Sequence, residues 1–198
     1  FVGLMSIDGI AGDTLAGFHY LLRNPGLKTA KPPVLILLHG YGSNEEDLYS
    51  FADQLPSKYM VFSLRAPQKI ADESFKWYSL DIVNGRQKFN FKEEEESRRR
   101  LIQFIEKISR KYTIDPAEIY LCGFSQGAIM CYSLALTKPE LVAGIAVLSG
   151  KLLEEIKPEI SHSKKLKSMK IFISHGSLDN VIPVADAREA QTYLKSVH

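Results

Sequence analysis

The stretch that most constrains this chain is Gly123-Phe124-Ser125-Gln126-Gly127. An apolar, strand-like run, Ile119-Tyr120-Leu121-Cys122, leads into it, and Ala128 to Leu136 reads as a buried helix behind it. A serine between two glycines at a strand-to-helix turn is the nucleophile-elbow pattern. The turn is tight enough to strain the serine backbone, and side chains two residues to either side would collide with neighbouring backbone. Glycine removes that collision. The serine oxygen then stands at the tip of a sheet, at the positive end of a helix dipole. The pentapeptide recurs by chance, so its weight comes from the strand before it and the helix after it. The plainer reading is a glycine-rich βα turn with a surface serine.

Three further segments accompany the elbow: Leu37-Leu38-His39-Gly40-Tyr41-Gly42, Trp77-Tyr78, and His175-Gly176-Ser177-Leu178-Asp179-Asn180-Val181-Ile182-Pro183. In order and spacing the four resemble the small phospholipase/carboxylesterase branch of the α/β-hydrolases, which contains the acyl-protein thioesterases. The resemblance runs from about Phe18 to the last residue. It implies an oxyanion hole made by the backbone N–H groups of Tyr41 and Gln126. The chain order Ser125 then Asp179 is that of α/β-hydrolases. Asp179 would accept a hydrogen bond from the catalytic imidazole and hold its tautomer; otherwise it is a turn or capping aspartate.

The rest of the chain fits an α/β-hydrolase fold, a mostly parallel sheet with helices on both faces. Residues 1–17 are irregular by pattern, and Phe18 to Leu22 alternates as an edge strand. Val34 to Leu38 is a continuous apolar run, a strand buried on both faces. Ser43-x-x-Glu46 is a capping box opening a helix to about Gln54. Tyr59 to Leu64 is a strand, and Arg65 to Leu80 a long loop. Phe75, Trp77 and Tyr78 on that loop can wall an apolar pocket, or Trp77 can plug the loop onto the core. Asn84-Gly85 marks a turn. Glu94, Glu95 and Glu96 stand four residues before Arg98, Arg99 and Arg100, as pairs on a solvated helix face whose buried stripe is Leu101, Phe104, Ile105, Ile108 and Tyr112. Gly144 to Leu148 and Lys170 to Ser174 are further strands. Between them Leu152, Leu153 and Ile156 either overhang an acyl chain or form a short amphipathic helix on the core.

With 198 residues the chain has the length of one domain, and no internal repeat or second domain is visible. The net charge is +2, so no strong field recruits nucleic acid or acidic lipid. No apolar run approaches a membrane span. Cys122 and Cys131 read as small core residues, which fits a reducing, cytoplasmic compartment. No group of ligands has metal spacing. The reading is a serine hydrolase of carboxylic ester or thioester bonds that works through an acyl-enzyme, without cofactor, on a small acyl substrate bound near Trp77 and Leu152. Two other classes are open: a catalytically silent α/β-hydrolase used as a binding module, and a nucleotide-binding doubly wound protein. Against the last, no Gly-Lys-Ser/Thr or Gly-x-Gly-x-x-Gly accompanies His39-Gly40-Tyr41-Gly42.

The five histidines are His19, His39, His162, His175 and His198. In the α/β-hydrolase order only those after Asp179 qualify as base, which leaves His198. Pro183 is suited to start a helix, with Ala187, Ala190, Leu194 and Val197 as its stripe. About fifteen helical residues carry the chain about 22 Å from the Asp179 loop, out of reach of Ser125. In the resembled family a return strand ends in Gly-His and a final helix follows. The expectation is that the natural chain continues, with its histidine roughly 10–20 residues past His198 after a strand of typical length. These 198 residues would then lack the base, the last strand and its helix, hydrolyse esters poorly and expose an apolar sheet edge.

Overall fold

In the computed structural model, which describes residues 13–27, 29–83 and 86–197, seven strands form one twisted sheet. They are β1 (Asp13–Leu15), β2 (Phe18–Arg23), β3 (Val34–Leu38), β4 (Met60–Leu64), β9 (Ile119–Phe124), β10 (Gly144–Leu148) and β11 (Lys170–Ser174). Two small antiparallel ribbons interrupt the series: β5 (Gln68–Ala71) with β6 (Ser74–Lys76), and β7 (Leu80–Val83) with β8 (Arg86–Phe89). The main order is β1-β2-β4-β3-β9-β10-β11. From β4 to β11 every pairing is parallel, while β1 and β2 run antiparallel.

The apolar runs account for the central strands. Val34–Leu38 pairs in register with Met60–Leu64 on one side and with residues 119–123 on the other. A strand enclosed between two parallel neighbours and covered by a helix needs apolar side chains in succession. Residues 1–12 lie outside the described residues. Residues 13–15, expected to be irregular, instead form β1. Ala16 and Gly17 both take positive φ (53° and 80°), the two-residue geometry that closes a hairpin onto β2. β2 therefore has a neighbour on each side and is not the edge strand its alternation suggested.

Three helices lie on one face: α2 (Phe91–Lys111), α3 (Gln126–Thr137) and α5 (Val184–Val197). They cover Ile36, Leu38, Phe62, Leu121, Ile145 and Val147, and Phe104 of α2 packs edge-on against Phe18, Tyr20 and Phe62. Of the expected stripe of α2, Leu101, Phe104, Ile105 and Ile108 are buried, while Tyr112 follows the helix in extended backbone and is half-buried; Glu94 and Arg98 are not on a solvated face. Glu94 is 0% and Arg98 6% exposed: the first turns of α2 bond to the Trp77–Tyr78 loop through Ser97, and Arg98 reaches Glu159 in the segment after β10. The solvated pairing falls instead to Glu96, which holds both Arg99 and Arg100.

The opposite face is thinly covered. The helix expected from Ser43 to Gln54 is broken into α1 (Glu46–Tyr49) and a 3₁₀ turn at Ala52–Gln54. Its start is not a capping box: Asn44 Oδ1 accepts the Glu46 N–H (2.9 Å), while the Ser43 hydroxyl donates to Asp47 (2.8 Å). This segment sits over β4, where Ser63 Oγ donates to Glu45 O at 2.6 Å. Over β9 to β11 the same face presents half-buried Tyr120, Cys122 and Ala146 and a 61% exposed Phe172. The Asn84-Gly85 turn lies outside the described residues, between β7 and β8. Both cysteines are free. No helix among the described residues is long and apolar enough to cross a membrane.

Candidate active site

Ser125 joins β9 to α3 with φ 52° and ψ −113°, a conformation L-residues rarely adopt and which costs on the order of 1–3 kcal/mol. The two glycines make that turn possible. A Cβ at Gly123 would stand 2.3 Å from Gly127 O, and a Cβ at Gly127 would stand 2.0 Å from Leu38 O. Both distances lie far inside van der Waals contact, so α3 can descend onto the end of β3 only where side chains are missing. Ser125 N–H donates to Leu148 O (2.9 Å), and its carbonyl accepts the first helical bond, from Ile129 N–H (3.1 Å). The serine is half-buried at the N-terminus of a helix whose residues 126–136 are all buried.

The loop after β3 passes alongside this elbow. A Cβ on Gly40 would lie 3.0 Å from the Phe124 ring and 3.6 Å from Ser125 Cβ. Gly42, at φ 81°, turns the loop back so that its N–H donates to Phe75 O (2.8 Å). Between them the Tyr41 N–H is engaged by no backbone carbonyl among the described residues, nor is that of Gln126. Gln126 opens α3, where helical N–H groups have no acceptor four residues back.

His39 is not a base. Its Nδ1–H donates to Gly40 O (2.7 Å) and its Nε2 accepts the Ala66 N–H (3.0 Å), so both ring nitrogens are occupied in the neutral tautomer. Burial lowers its pKa further from the protonated form. The ring orients the loop.

Asp179 sits in the loop after β11, as the third parallel strand-end contribution to the same sheet edge. Its Oδ1 accepts the N–H groups of Ile182 and Val181, each at 2.9 Å, and these bonds hold its carboxyl below the usual range. The side chain is 18% exposed. The other oxygen, Oδ2, faces His175 Nε2 at 3.5 Å, too long to spend its acceptor capacity. His175 instead donates to Ile182 O at 2.6 Å and acts as a strut across the loop. Ser149 was missed by sequence reasoning. It takes φ 50° at the end of β10, and its hydroxyl contributes to keeping Asp179 ionised. Only its place between a buried strand and Gly150 could have flagged it.

Four of the five histidines can be placed. His19 faces Glu45 (3.4 Å), itself held by Arg65 through two bonds of 2.6 Å. His39 and His175 are committed as above, and His162 is an exposed residue before the short helix α4 (Lys164–Ser168). None of them bonds to Ser125. His198 lies outside the described residues.

Trp77 and Leu152 fare differently. Trp77 is wholly enclosed, at 0% exposure, so it has no surface to offer an acyl chain. The alternative plug reading describes its place. Leu152 borders a cavity of about 310 Å³ lined also by Phe89, Lys151, Asp186, Glu189 and Tyr193. The Lys151 ammonium stands 4.5 Å over the Phe89 ring at its rim.

The sequence profile of the phospholipase/carboxylesterase family matches residues 26–198, which include the elbow, the Tyr41 loop and Asp179. The chain belongs to the phospholipase/carboxylesterase family. Within curated proteins it is 33% identical over 84 residues to acyl-protein thioesterase 1 of Kluyveromyces lactis, a stretch covering 41% of this chain and 36% of that one. It is 25% identical over 132 residues to poly(3-hydroxyalkanoate) depolymerase C of Paucimonas lemoignei, covering 64% of this chain and 30% of that one. The matches thus span about a third of the length of these relatives. Among solved structures, the carboxylesterase of Mesorhizobium loti superposes with a TM-score of 0.76 at 22% identity, over 92% of this chain and 82% of that one. The sheet order and its crossovers are therefore those of the α/β-hydrolase fold, and because β3, β9 and β11 run parallel, the loop after β3, the elbow and the loop after β11 lie at the same edge of the sheet.

Proposed function

We propose that this family member is a serine hydrolase that cleaves carboxylic ester or thioester bonds of small acyl substrates through an acyl-enzyme. The observation that carries the reading is Ser125 at φ 52°, between two glycines that could bear no Cβ, at the head of α3. Ser125 Oγ attacks the acyl carbon. The alkoxide or thiolate leaves with the proton that the base took from Ser125, and water repeats the sequence on the acyl-enzyme. The N–H groups of Tyr41 and Gln126 receive the oxyanion. Asp179 Oδ2 receives the N–H of an imidazole, and its carboxylate stabilises the imidazolium. Because His19, His39, His162 and His175 are placed elsewhere, the base falls to a histidine outside the described residues. The acyl chain occupies the cavity beside Leu152, while the buried Trp77 supports the site from below.

A fluorophosphonate probe tests this directly. The full natural chain is expected to be labelled at Ser125 and to hydrolyse p-nitrophenyl esters, with a chain-length optimum that the Leu152 cavity sets. A chain that binds such esters but neither reacts with the probe nor turns over would be a silent binding module. Thermal stabilisation by nucleotides would instead favour a nucleotide-binding protein.

A further inference from the structure

We infer that Trp77 is a positioning residue for the oxyanion hole, tying together the two loops that supply its donors. The inference rests on the serine-hydrolase reading above. The indole Nε1–H donates to His39 O at 2.9 Å, two residues before Tyr41. The Trp77 backbone N–H donates to the Gln126 side-chain Oε1 at 2.8 Å, and Gln126 Nε2–H returns a bond to Tyr78 O at 2.7 Å. One residue thus reaches each half of the hole, through its side chain on one side and its backbone on the other. The bonds are shielded from water, since Trp77, His39 and Gln126 are all at most 3% exposed.

The arrangement asks for tryptophan rather than any large apolar side chain. A plug needs only volume, and a buried indole carries an N–H that must find a partner. Here the partner is the carbonyl at the start of the oxyanion loop. The His39 ring leans on the indole with centroids 5.7 Å apart, and its two nitrogens are fixed in turn by Gly40 O and Ala66 N–H. The loop from His39 to Gly42 is therefore positioned relative to α3 through Trp77. An oxyanion hole works only when both donors wait where charge will develop, and losing or misplacing one costs about 10²–10³ in turnover.

The test uses the full natural chain. Trp77→Phe keeps an aromatic ring and removes Nε1–H. We expect kcat for p-nitrophenyl butyrate to fall about 10- to 100-fold with KM within about twofold, because the lost contact acts on the transition state. Affinity for a boronic acid that forms a tetrahedral adduct with the serine should fall in parallel with kcat. Ser97→Ala removes a bond to the same residue on the side away from the hole, Ser97 Oγ to Trp77 O at 2.5 Å. It should lower Tm and leave kcat within about twofold, as a loss of stability alone would. If Trp77→Phe does not fold, Trp77→benzothienylalanine decides, because it keeps the indole shape and replaces N–H by sulfur. Unchanged kcat in a folded variant lacking the N–H overturns the inference, as does an equal kcat loss in Ser97→Ala. An unsubstituted enzyme that neither hydrolyses the ester nor reacts with a fluorophosphonate overturns the serine-hydrolase reading itself.

Discussion

At the scale of single residues, the site depends on groups whose absence matters as much as their presence. Gly127 has a carbonyl oxygen 2.0 Å from where its Cβ would be, and that atom is backbone, which cannot swing aside. Gly127→Ala is expected to lower stability by about 3 kcal/mol or more, or to prevent folding, because it combines overpacking with a shifted elbow. Denaturant titration beside the unsubstituted chain measures it, and a midpoint within error of the parent would contradict the geometry. Ser125→Ala is the converse case. The hydroxyl makes no hydrogen bond to another side chain among the described residues, so its removal should leave Tm in place. Ester hydrolysis by the full chain should drop roughly 10⁴-fold or more, since the oxyanion hole and binding alone leave about 10³–10⁴ over water. Near-normal turnover would remove Ser125 from the mechanism.

At the scale of elements, the contact between α2 and α3 carries an unusual charge. Both Glu94 carboxyl oxygens are buried without a hydrogen-bond partner among the described residues, and Arg98 Nε stands 3.7 Å away while its Nη1 is taken by Glu159 at 2.7 Å. Burial pushes the Glu94 carboxyl up from its ordinary 4.5 to about 7, only partly offset by Arg98. A folded-state pKa above the unfolded one contributes stability that is fully present below about pH 4.5 and is lost as pH rises through 7. Glu94→Gln removes that dependence. Its stability relative to the parent should therefore rise between pH 5 and pH 8, by on the order of 2 kcal/mol. Thermal melts of both proteins across that range provide the measurement, and parallel profiles would show that Glu94 is already compensated. The junction between α5 and the 3₁₀ segment Glu154–Glu159 gives a second expectation. Leu152→Phe narrows the cavity there and should shift p-nitrophenyl ester preference toward shorter acyl chains. Each excluded methylene is worth about 1–3 kcal/mol in selectivity. An unchanged ranking of chain lengths would place the acyl group elsewhere.

At the scale of the whole molecule, the sheet is closed on one face and open on the other. Among the described residues β11 is paired only with β10, and Phe172 projects from it at 61% exposure. Beside it an apolar concavity of about 450 Å³ is lined by Leu35, Tyr59, Tyr120, Ala146 and Ile171. An unpaired apolar edge is a template for association. The 198-residue chain is expected to associate with rising concentration, and Phe172→Lys to suppress this, as read by light scattering. Equal scattering from both proteins would show that the edge is not the sticky surface.

The chain's own pattern determined the elements that stand on local chemistry. Val34–Leu38 and Gly144–Leu148 are apolar runs of the bounds expected, and Ser125 between glycines needed nothing beyond its neighbours. Such features are legible because a buried parallel strand or a tight elbow imposes its demand on consecutive residues. The tertiary structure alone decided the rest. Glu94 and Arg98 have the spacing of a solvated pair, yet both are buried, and Arg98 pairs with Glu159, 61 positions away. Alternation made β2 look like an edge, and the hairpin from β1 covered it. Trp77 read equally as a pocket wall or as a plug on the core, and three bonds to its indole and backbone from residues 20 to 49 positions away decided for the core. Each of these depends on what another part of the chain places opposite, and no local window of sequence contains that information.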